Sequence, residues 1–430
     1  MKGIVRRNRA PSPRLRAFAR SPIFLIVPAC ACLLLAAFAG PVTAQSLPTA
    51  PITTAGGRLT IGGDASASIS PSDEYYFDYS DYNYNLLRQV RADAAAALRL
   101  GNRLALLGDL RVEGPVGKGP WTLRPYALFA RIRPWPQRAF DVQAGLIPPV
   151  FGAFSRRAYG PDNPLIGFPL AYQYLTSLRP DALPASADDL LRMRGRGWLT
   201  RYPVGSTTAD HGVPLIDGLH YETGVEVHAG NDPIEVSAAV TAGSMSAPRV
   251  TGAGSGAQVS GRFAYRPAPW LALGVSAARG IFVSSSVTDA LGAAAQQSSN
   301  DQRALGFDAE CSHGYWLVRT EGVLSSWRLP ALRAPFLDAP LRAFGLDVEG
   351  RYRIRPGLYA ALRVDHLGFS RVAGSAGELP WDAPVRRIEA GAGYSLQRNI
   401  LMKIAYQYNW RDSEYNRTSG LVSAQLLFWF

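Results

Sequence analysis

The sequence predicts an all-β fold, a transmembrane antiparallel β-barrel of about sixteen strands interrupted by one very long loop. Three observations predict it. Polar and apolar residues alternate with period two in segment after segment, up to the last residue. The links between these segments are alternately short and long. The final segment presents one apolar face that ends in an aromatic residue, Phe430.

Composition suits strands and turns better than helices. The 430 residues are 47% hydrophobic and only 18% charged, with 42 Gly and 32 Pro. A soluble chain of this length would divide into two or three domains, whereas one closed sheet can use all of it. The formal charge is +12, but seven of those charges (Lys2, Arg6, Arg7, Arg9, Arg14, Arg16 and Arg20) stand in the first 44 residues, which carry no acid. The remainder carries +5 and has no Lys/Arg-rich run, so nothing points to nucleic acid. Of three cysteines, Cys30 and Cys32 lie in the N-terminal apolar stretch, leaving Cys311, which has no partner for an internal disulfide.

Residues 1–44 read as an export signal. A basic start leads into the apolar core Phe24 to Phe38, and Val42-Thr43-Ala44 precedes Gln45 with small or permissive residues where signal peptidase needs them. The alternatives are a membrane anchor over Pro22 to Gly40 and a lipid attachment at Cys30, where Pro28 is a poor fit. Cleavage near Ala44 leaves residues 45–57 as a short periplasmic N-terminal segment and 58–430 as the barrel.

The strands are expected at 58–69, 86–100, 103–113, 121–133, 138–148, 218–229, 233–243, 257–266, 269–280, 302–312, 314–327, 340–354, 357–368, 384–396, 399–411 and 420–430. Alternation justifies each of them. In the second, Val90, Ala92, Ala94, Ala96, Leu98 and Leu100 face one way and Arg91, Asp93 and Arg99 the other. In the twelfth, Phe344, Leu346, Val348 and Tyr352 oppose Asp347, Glu349, Arg351 and Arg353. In the fifteenth, Ile400, Met402, Ile404, Tyr406, Tyr408 and Trp410 oppose Lys403, Gln407, Asn409 and Arg411. Lengths of ten or more residues suit tilted membrane-crossing strands, and polar faces with both charge signs suit a water-filled lumen.

The connections supply an independent test. Gly101-Asn102, Pro134 to Gln137, Gly230-Asn231-Asp232, Arg266 to Pro269, Ser312-His313-Gly314, Arg355-Pro356-Gly357 and Gln397-Arg398 are short turns of Gly, Pro and Asn. The links at 70–85, 281–301, 328–339, 369–383 and 412–419 are longer and polar. A soluble sandwich has no reason to segregate loop lengths in this way.

At the C-terminus Val422, Ala424, Leu426, Phe428 and Phe430 share one apolar face. Leu426, Phe428 and Phe430 resemble the terminal signature by which the barrel assembly machinery recognises outer-membrane proteins. The whole mature chain resembles the sixteen-stranded porins of Gram-negative bacteria, and its Arg-rich inner loop is similar to that of the phosphate-selective porin group. The resemblance implies an outer-membrane location, passage of small hydrophilic solutes, and contact with outer-membrane lipid and lipopolysaccharide. It also implies a possible homotrimer and a loop after the fifth strand that folds into the lumen.

That loop runs from about Pro149 to Asp217, too long for a plain connection. Pro164 to Leu175 is apolar and aromatic and needs something to pack on, and Ser186 before Asp188-Asp189 reads as a helix N-cap. Arg156, Arg157, Arg192, Arg194 and Arg196 are the candidate anion-binding residues of a pore constriction, because guanidinium groups keep their charge and grip phosphate or carboxylate with two hydrogen bonds. The alternatives pair these arginines with the loop's own acids or with lipopolysaccharide phosphates outside. His220, Glu222, Glu226 and His228, with Arg351 and Arg353, form an expected charge ladder on the lumen wall rather than a metal site. The loop Asp73 to Tyr84 mixes acids and aromatics and reads as a solvated tip or a sugar or Ca²⁺ site.

No HExxH, P-loop or GxSxG motif occurs, so enzyme chemistry has no motif to rest on and no cofactor is implied. The expectation is a non-enzymatic, anion-preferring channel. The other open classes are a structural barrel in a larger complex and an outer-membrane hydrolase.

Overall fold

The computed structural model describes residues 50–430 apart from 79–85, 118, 219, 249–255, 293–299, 331–335, 338 and 416. The export segment lies outside these residues, as do Tyr79 to Tyr84.

Sixteen long strands form the wall. They are β1 Leu59–Ile69, β2 Gln89–Arg99, β3 Leu104–Pro115, β4 Thr122–Ile132, β5 Phe140–Ile147, β6 Glu222–Asn231, β7 Ile234–Ser244 and β8 Ala257–Ala268, followed by β9 Leu271–Ile281, β10 Asp301–His313, β11 Trp316–Trp327, β12 Leu341–Arg355, β13 Leu358–Phe369, β14 Val385–Gln397, β15 Ile400–Arg411 and β16 Thr418–Trp429. Each pairs antiparallel with its sequence neighbour. The sheet closes where β1 meets β16, from Asp64 opposite Trp429 to Ile69 opposite Ala424. Closure removes the unpaired edges that a bilayer would penalise.

Period-two alternation becomes an outside and an inside. On β9 Leu273, Val275 and Ala277 are exposed while Gly274, Ser276 and Ala278 are buried. Exposed Trp135, Trp270, Tyr315, Trp316 and Tyr352 ring the short-turn end, the place of an aromatic girdle. The turns there are tight because Gly314 and Gly357 adopt φ of +60° and +79°, a region closed to most side chains.

Two departures from plain alternation matter. A register shift between Asp109 and Leu110 of β3 sets an extra residue into β4. This bulge turns the buried Tyr126 inward beside Ala127 and re-aims the residues that follow. The expected periplasmic segment 45–57 is also partly structured, because Ile52–Thr54 pairs with β1 as a hairpin, Ile52 opposite Ile61.

The apolar core sits inside the barrel, towards the long-loop end. Phe151, Phe154, Phe168, Tyr172, Leu183 and Leu190 of the 148–221 connection pack with Phe77, Val283, Trp327 and Trp381 from other loops and strand ends. Two short helices, α1 Leu170–Gln173 and α2 Ala187–Arg192, order this connection. Ser186 caps α2 by accepting the Asp189 N–H at 3.1 Å. A third helix, α3 Ser285–Leu291, lies in the β9–β10 link. The 73–78 segment is a solvated tip only in part: Glu74 and Tyr76 are exposed, but Asp78 is buried 3.1 Å from Arg387, and Phe77 is in the core.

The loop doubles back on itself without room for side chains at Gly197 and Gly212, where a Cβ would overlap the carbonyl oxygens of Leu175 and Thr176. Gly212→Ala is expected to cost about 1–3 kcal/mol of local stability, because backbone atoms must move. Limited proteolysis checks it: cleavage within 177–212 should be faster than in wild type, and equal rates would disprove the packing.

Candidate functional site

The inner loop enters the lumen because the far wall satisfies its backbone. Buried amides and carbonyls need partners, and here inward-facing side chains of β9 to β15 supply them. The Gly152 N–H donates to Ser276 Oγ at 3.0 Å. Glu321 accepts from the Ala153 and Phe154 amides and from the Tyr172 hydroxyl. Glu389 accepts from Ile166 and Gly167 at 3.2 and 2.9 Å, and Asp365 from Leu170 at 3.2 Å. Lys403 Nζ donates to the carbonyl of Asn163 at 2.7 Å, with those of Gly160 and Leu165 beyond 3 Å. Arg387 donates to the Phe168 carbonyl at 3.0 Å. Nearer the long-loop end, Asp382 accepts from Ser177, Gly195 and Ala383 at 2.6–2.7 Å. Burial raises the Asp382 carboxyl pKa and the three amides oppose the rise.

With the loop held against β9 to β15, the remaining space lies along β1 to β7. A cavity of about 400 Å³ is lined there by Asp64, Arg91, Asp93, Asp109, Arg111, Tyr126, Arg131, Gln143, Arg156, Tyr159, Tyr221, Glu226, His228 and Glu235, among others. Arg111 is its centre. The guanidinium carbon stands 3.3 Å from the centroid of the Tyr126 ring and 4.2 Å from that of Tyr159, an arrangement of cation against ring face. Two of its nitrogens reach Asp93 at 2.6 and 3.1 Å, while the buried Nη1 has no hydrogen-bond partner. The Tyr221 ring meets that of Tyr126 at 4.5 Å between centroids, tilted by 42°. Burial pushes the Tyr159 hydroxyl above its ordinary range, against the pull of Arg111, so the ring stays neutral beside Arg91 and Arg111.

Smaller spaces extend the cavity in both directions. One of about 290 Å³ shares His228 and Glu235 and is walled by the short β6–β7 turn. The other, about 30 Å³, shares Arg91 and Tyr159 and is walled by Ser66, Ser68 and Lys403. Arg91 and Tyr159 thus form the neck on the long-loop side.

The five loop arginines do not converge. Arg156 lines the cavity and pairs with Glu235 at 2.8 Å. Arg157 points to the opposite wall and pairs with Glu349 at 2.8 Å. Arg192 pairs with Asp189 at 3.1 Å on α2, its side chain 60% exposed. Arg194 reaches the Asp412 carbonyl at 3.5 Å, and Arg196 stacks 3.7 Å from the Tyr415 ring. These three meet the β15–β16 loop or the loop's own acid instead of the cavity. The reason is that the apolar core draws 177–212 towards the long-loop end.

The expected ladder is divided as well. Glu226 and His228 line the cavity. Glu222 is fully buried and accepts from Thr241 and Gln258 at 2.6 and 2.7 Å. His220 precedes β6 and meets Asp217 at 2.7 Å. Arg351 and Arg353 lie on the inward parity of β12 near the short turns, over the Tyr359 and Tyr315 rings at 5.8 and 5.3 Å. The terminal Phe430 exchanges backbone bonds with Gly63 at 3.0 and 3.1 Å and stacks on Phe428, while Leu426 is exposed.

The cavity residues that sequence reasoning passed over include Asp64, Arg91, Asp93, Asp109, Arg111, Arg131, Tyr159 and Glu235. The signal was present for most, since Arg91 and Asp93, and Asp109 and Arg111, alternate on the polar faces of β2 and β3.

No protein-family model matches the chain, and no curated protein matches it in sequence. Solved structures do match it in shape. OmpF of Salmonella typhi in complex with daunomycin superposes with a TM-score of 0.54 at 12% identity, covering 89% of this chain and 100% of the other. An anion-selective porin from Comamonas acidovorans gives 0.52 at 10%, covering 86% and 99%. The outer-membrane channel DcaP of Acinetobacter baumannii gives 0.50 at 11%, covering 89% and 100%. The likeness shows the fold: this chain is a closed sixteen-stranded antiparallel barrel of the kind found in the porins of Gram-negative outer membranes.

Proposed function

We propose that the chain is an outer-membrane channel for passive diffusion of small hydrophilic solutes. The observation that carries this reading is the polar, charge-lined cavity along β1 to β7, inside a barrel whose outer face is apolar. Export with cleavage near Ala44, assembly through the Phe430 end, and packing as a homotrimer among lipopolysaccharide belong to the same reading. Solutes are sorted by width and fixed charge, and no bond is made or broken.

Charge selection is weaker in this reading than the loop arginines suggest. Among the described residues the lining holds four arginines (Arg91, Arg111, Arg131, Arg156) against five carboxylates (Asp64, Asp93, Asp109, Glu226, Glu235). A narrower reading, preference for phosphate-like or carboxylate solutes, is favoured by the unpartnered Nη1 of Arg111 and by the likeness to an anion-selective porin.

Single-channel recording of the refolded mature protein under a salt gradient tests both. Steady conductance is expected, and its absence from a well-folded barrel would overturn the channel. A reversal potential on the anion side that falls in Arg111→Gln supports the narrower reading. A cation-side potential removes that reading and leaves the channel.

A further inference from the structure

The long-loop end carries an aromatic surface that a solute path along β1 to β7 does not explain. Among the described residues, Ala55 and Tyr76 are the only non-glycine residues with positive φ. Tyr76 has φ of +56°, a region that bulky side chains rarely adopt and that persists only where the surroundings enforce it. Asp73 supplies part of that support. Its carboxylate accepts the Tyr75 and Asp78 N–H groups at 3.3 and 2.8 Å, and its carbonyl accepts the Tyr76 N–H at 3.3 Å. Both oxygens of this carboxylate are thus occupied by backbone, which leaves it poorly placed to hold a cation. Phe77 and Asp78, both buried, anchor the far side of the turn. The turn therefore presents Tyr76 with its ring exposed.

That ring stacks on Trp198 of the inner loop, with 5.1 Å between centroids and 13° between planes. Two residues earlier in the chain, Arg196 lies 3.7 Å from the centroid of the Tyr415 ring, and Tyr415 is exposed as well. One buried side chain fixes both halves. Arg411 donates to the carbonyls of Tyr75 and Gly195, each at 3.2 Å, and its guanidinium carbon stands 5.0 Å from the Trp198 ring. Ser413 Oγ accepts the Tyr415 N–H at 3.1 Å. The rings are thus held in place without a ligand. Exposed Glu74, Asp412 and Glu414 belong to the same turns.

Fixed, exposed ring faces beside hydrogen-bonding groups suit one class of ligand. A pyranose has a flat face of C–H groups that packs on an aromatic ring, and a rim of hydroxyls that donate to carboxylates and accept from guanidinium. Charges of both signs stand around the rings, so a ligand with net charge gains little from them as a set. An acyl chain or a second copy of this chain needs a contiguous apolar patch, and here the charged residues interrupt it.

From this arrangement we infer that Tyr76, Trp198, Arg196 and Tyr415 form a binding platform for a neutral oligosaccharide. Sugar rings stack on Tyr76 and Tyr415, and their hydroxyls meet Arg196 and the neighbouring carboxylates. The platform is built from the inner loop and two outer loops, apart from the cavity that carries the channel reading.

Saturation-transfer difference NMR on the detergent-solubilised barrel tests it. The probes are cellotriose and maltotriose, two neutral trisaccharides of different linkage, with sorbitol as a polyol that has hydroxyls but no ring face. Wild type should bind at least one trisaccharide with a Kd in the roughly millimolar range of an open, hydrated site. Tyr415→Ala and Tyr76→Ala should each weaken it by about tenfold. Tyr76→Phe should keep the wild-type affinity, because ring and turn both remain. Absence of binding by both trisaccharides, or unchanged affinity in Tyr415→Ala, which leaves the Tyr76 turn untouched, would overturn the platform. Sorbitol bound as tightly as the trisaccharides would overturn the stacking. The readout needs no current, so the two readings fail separately. A barrel that binds sugar without conducting sinks only the channel, and a conducting barrel that binds no sugar sinks only the platform.

Discussion

Replacing Asp382 by alanine should free the outer half of the inner loop at a cost of about 3–5 kcal/mol. This carboxylate is fully buried and is the acceptor for the Ser177, Gly195 and Ala383 amides. Alanine leaves three buried donors without a partner, and the desolvation cost of each stays while its hydrogen bond is lost. Ser177 and Gly195 lie at opposite ends of the segment that contains α2, so one side chain ties that segment at two points to the β13–β14 loop. Hydrogen exchange at these two amides reads the effect. Protection should fall by orders of magnitude in Asp382→Ala and only partly in Asp382→Asn, which keeps one acceptor oxygen. Unchanged protection in the alanine variant would show that the apolar contacts of Leu183 and Leu190 alone hold the segment. The loosened loop should also make the open-channel current noisier.

The second large effect concerns which arginines set selectivity. Reversing Arg131 and Arg156 to glutamate should move the reversal potential towards cations by tens of millivolts in a roughly tenfold salt gradient. Both line the cavity, and both are partly exposed within it, facing Asp141 at 3.8 Å and Glu235 at 2.8 Å. The same reversal of Arg192 and Arg194 should leave the potential nearly unchanged, because their partners are Asp189 and the Asp412 carbonyl, away from the cavity. A shift from Arg192 and Arg194 with none from Arg131 and Arg156 would mean that solutes pass over α2, and the path along β1 to β7 would have to be abandoned.

These two experiments mark the boundary between what was legible in the sequence and what was not. The sixteen strands were legible to within a few residues because each carries its own period-two pattern and its own turn chemistry. The Ser186 cap was legible for the same reason, since a cap is an interaction over three residues. Residues 149–217 were recognisable as a loop with packing of its own. The choice of Arg156, Arg157, Arg192, Arg194 and Arg196 as one constriction failed to anticipate their dispersal. Arginines close in sequence are not close in direction once a loop folds back on itself.

Alternation and turn chemistry therefore determined, from the sequence alone, a closed barrel with an apolar exterior, a polar interior and loops sorted by length. Each of those properties is a sum of local terms. The tertiary structure alone decided where the open part of the lumen runs. Lys403 meets Asn163 across 240 residues, and the Gly152 amide meets Ser276 across 124. Such contacts depend on which strand faces which once the sheet has closed. They draw the loop to β9 through β15 and leave Arg91, Arg111 and Tyr159 to line the space. The β4 bulge that turns Tyr126 onto Arg111 belongs to the same class. One extra residue between paired strands reverses a side chain, and only the register of the partner strand reveals it.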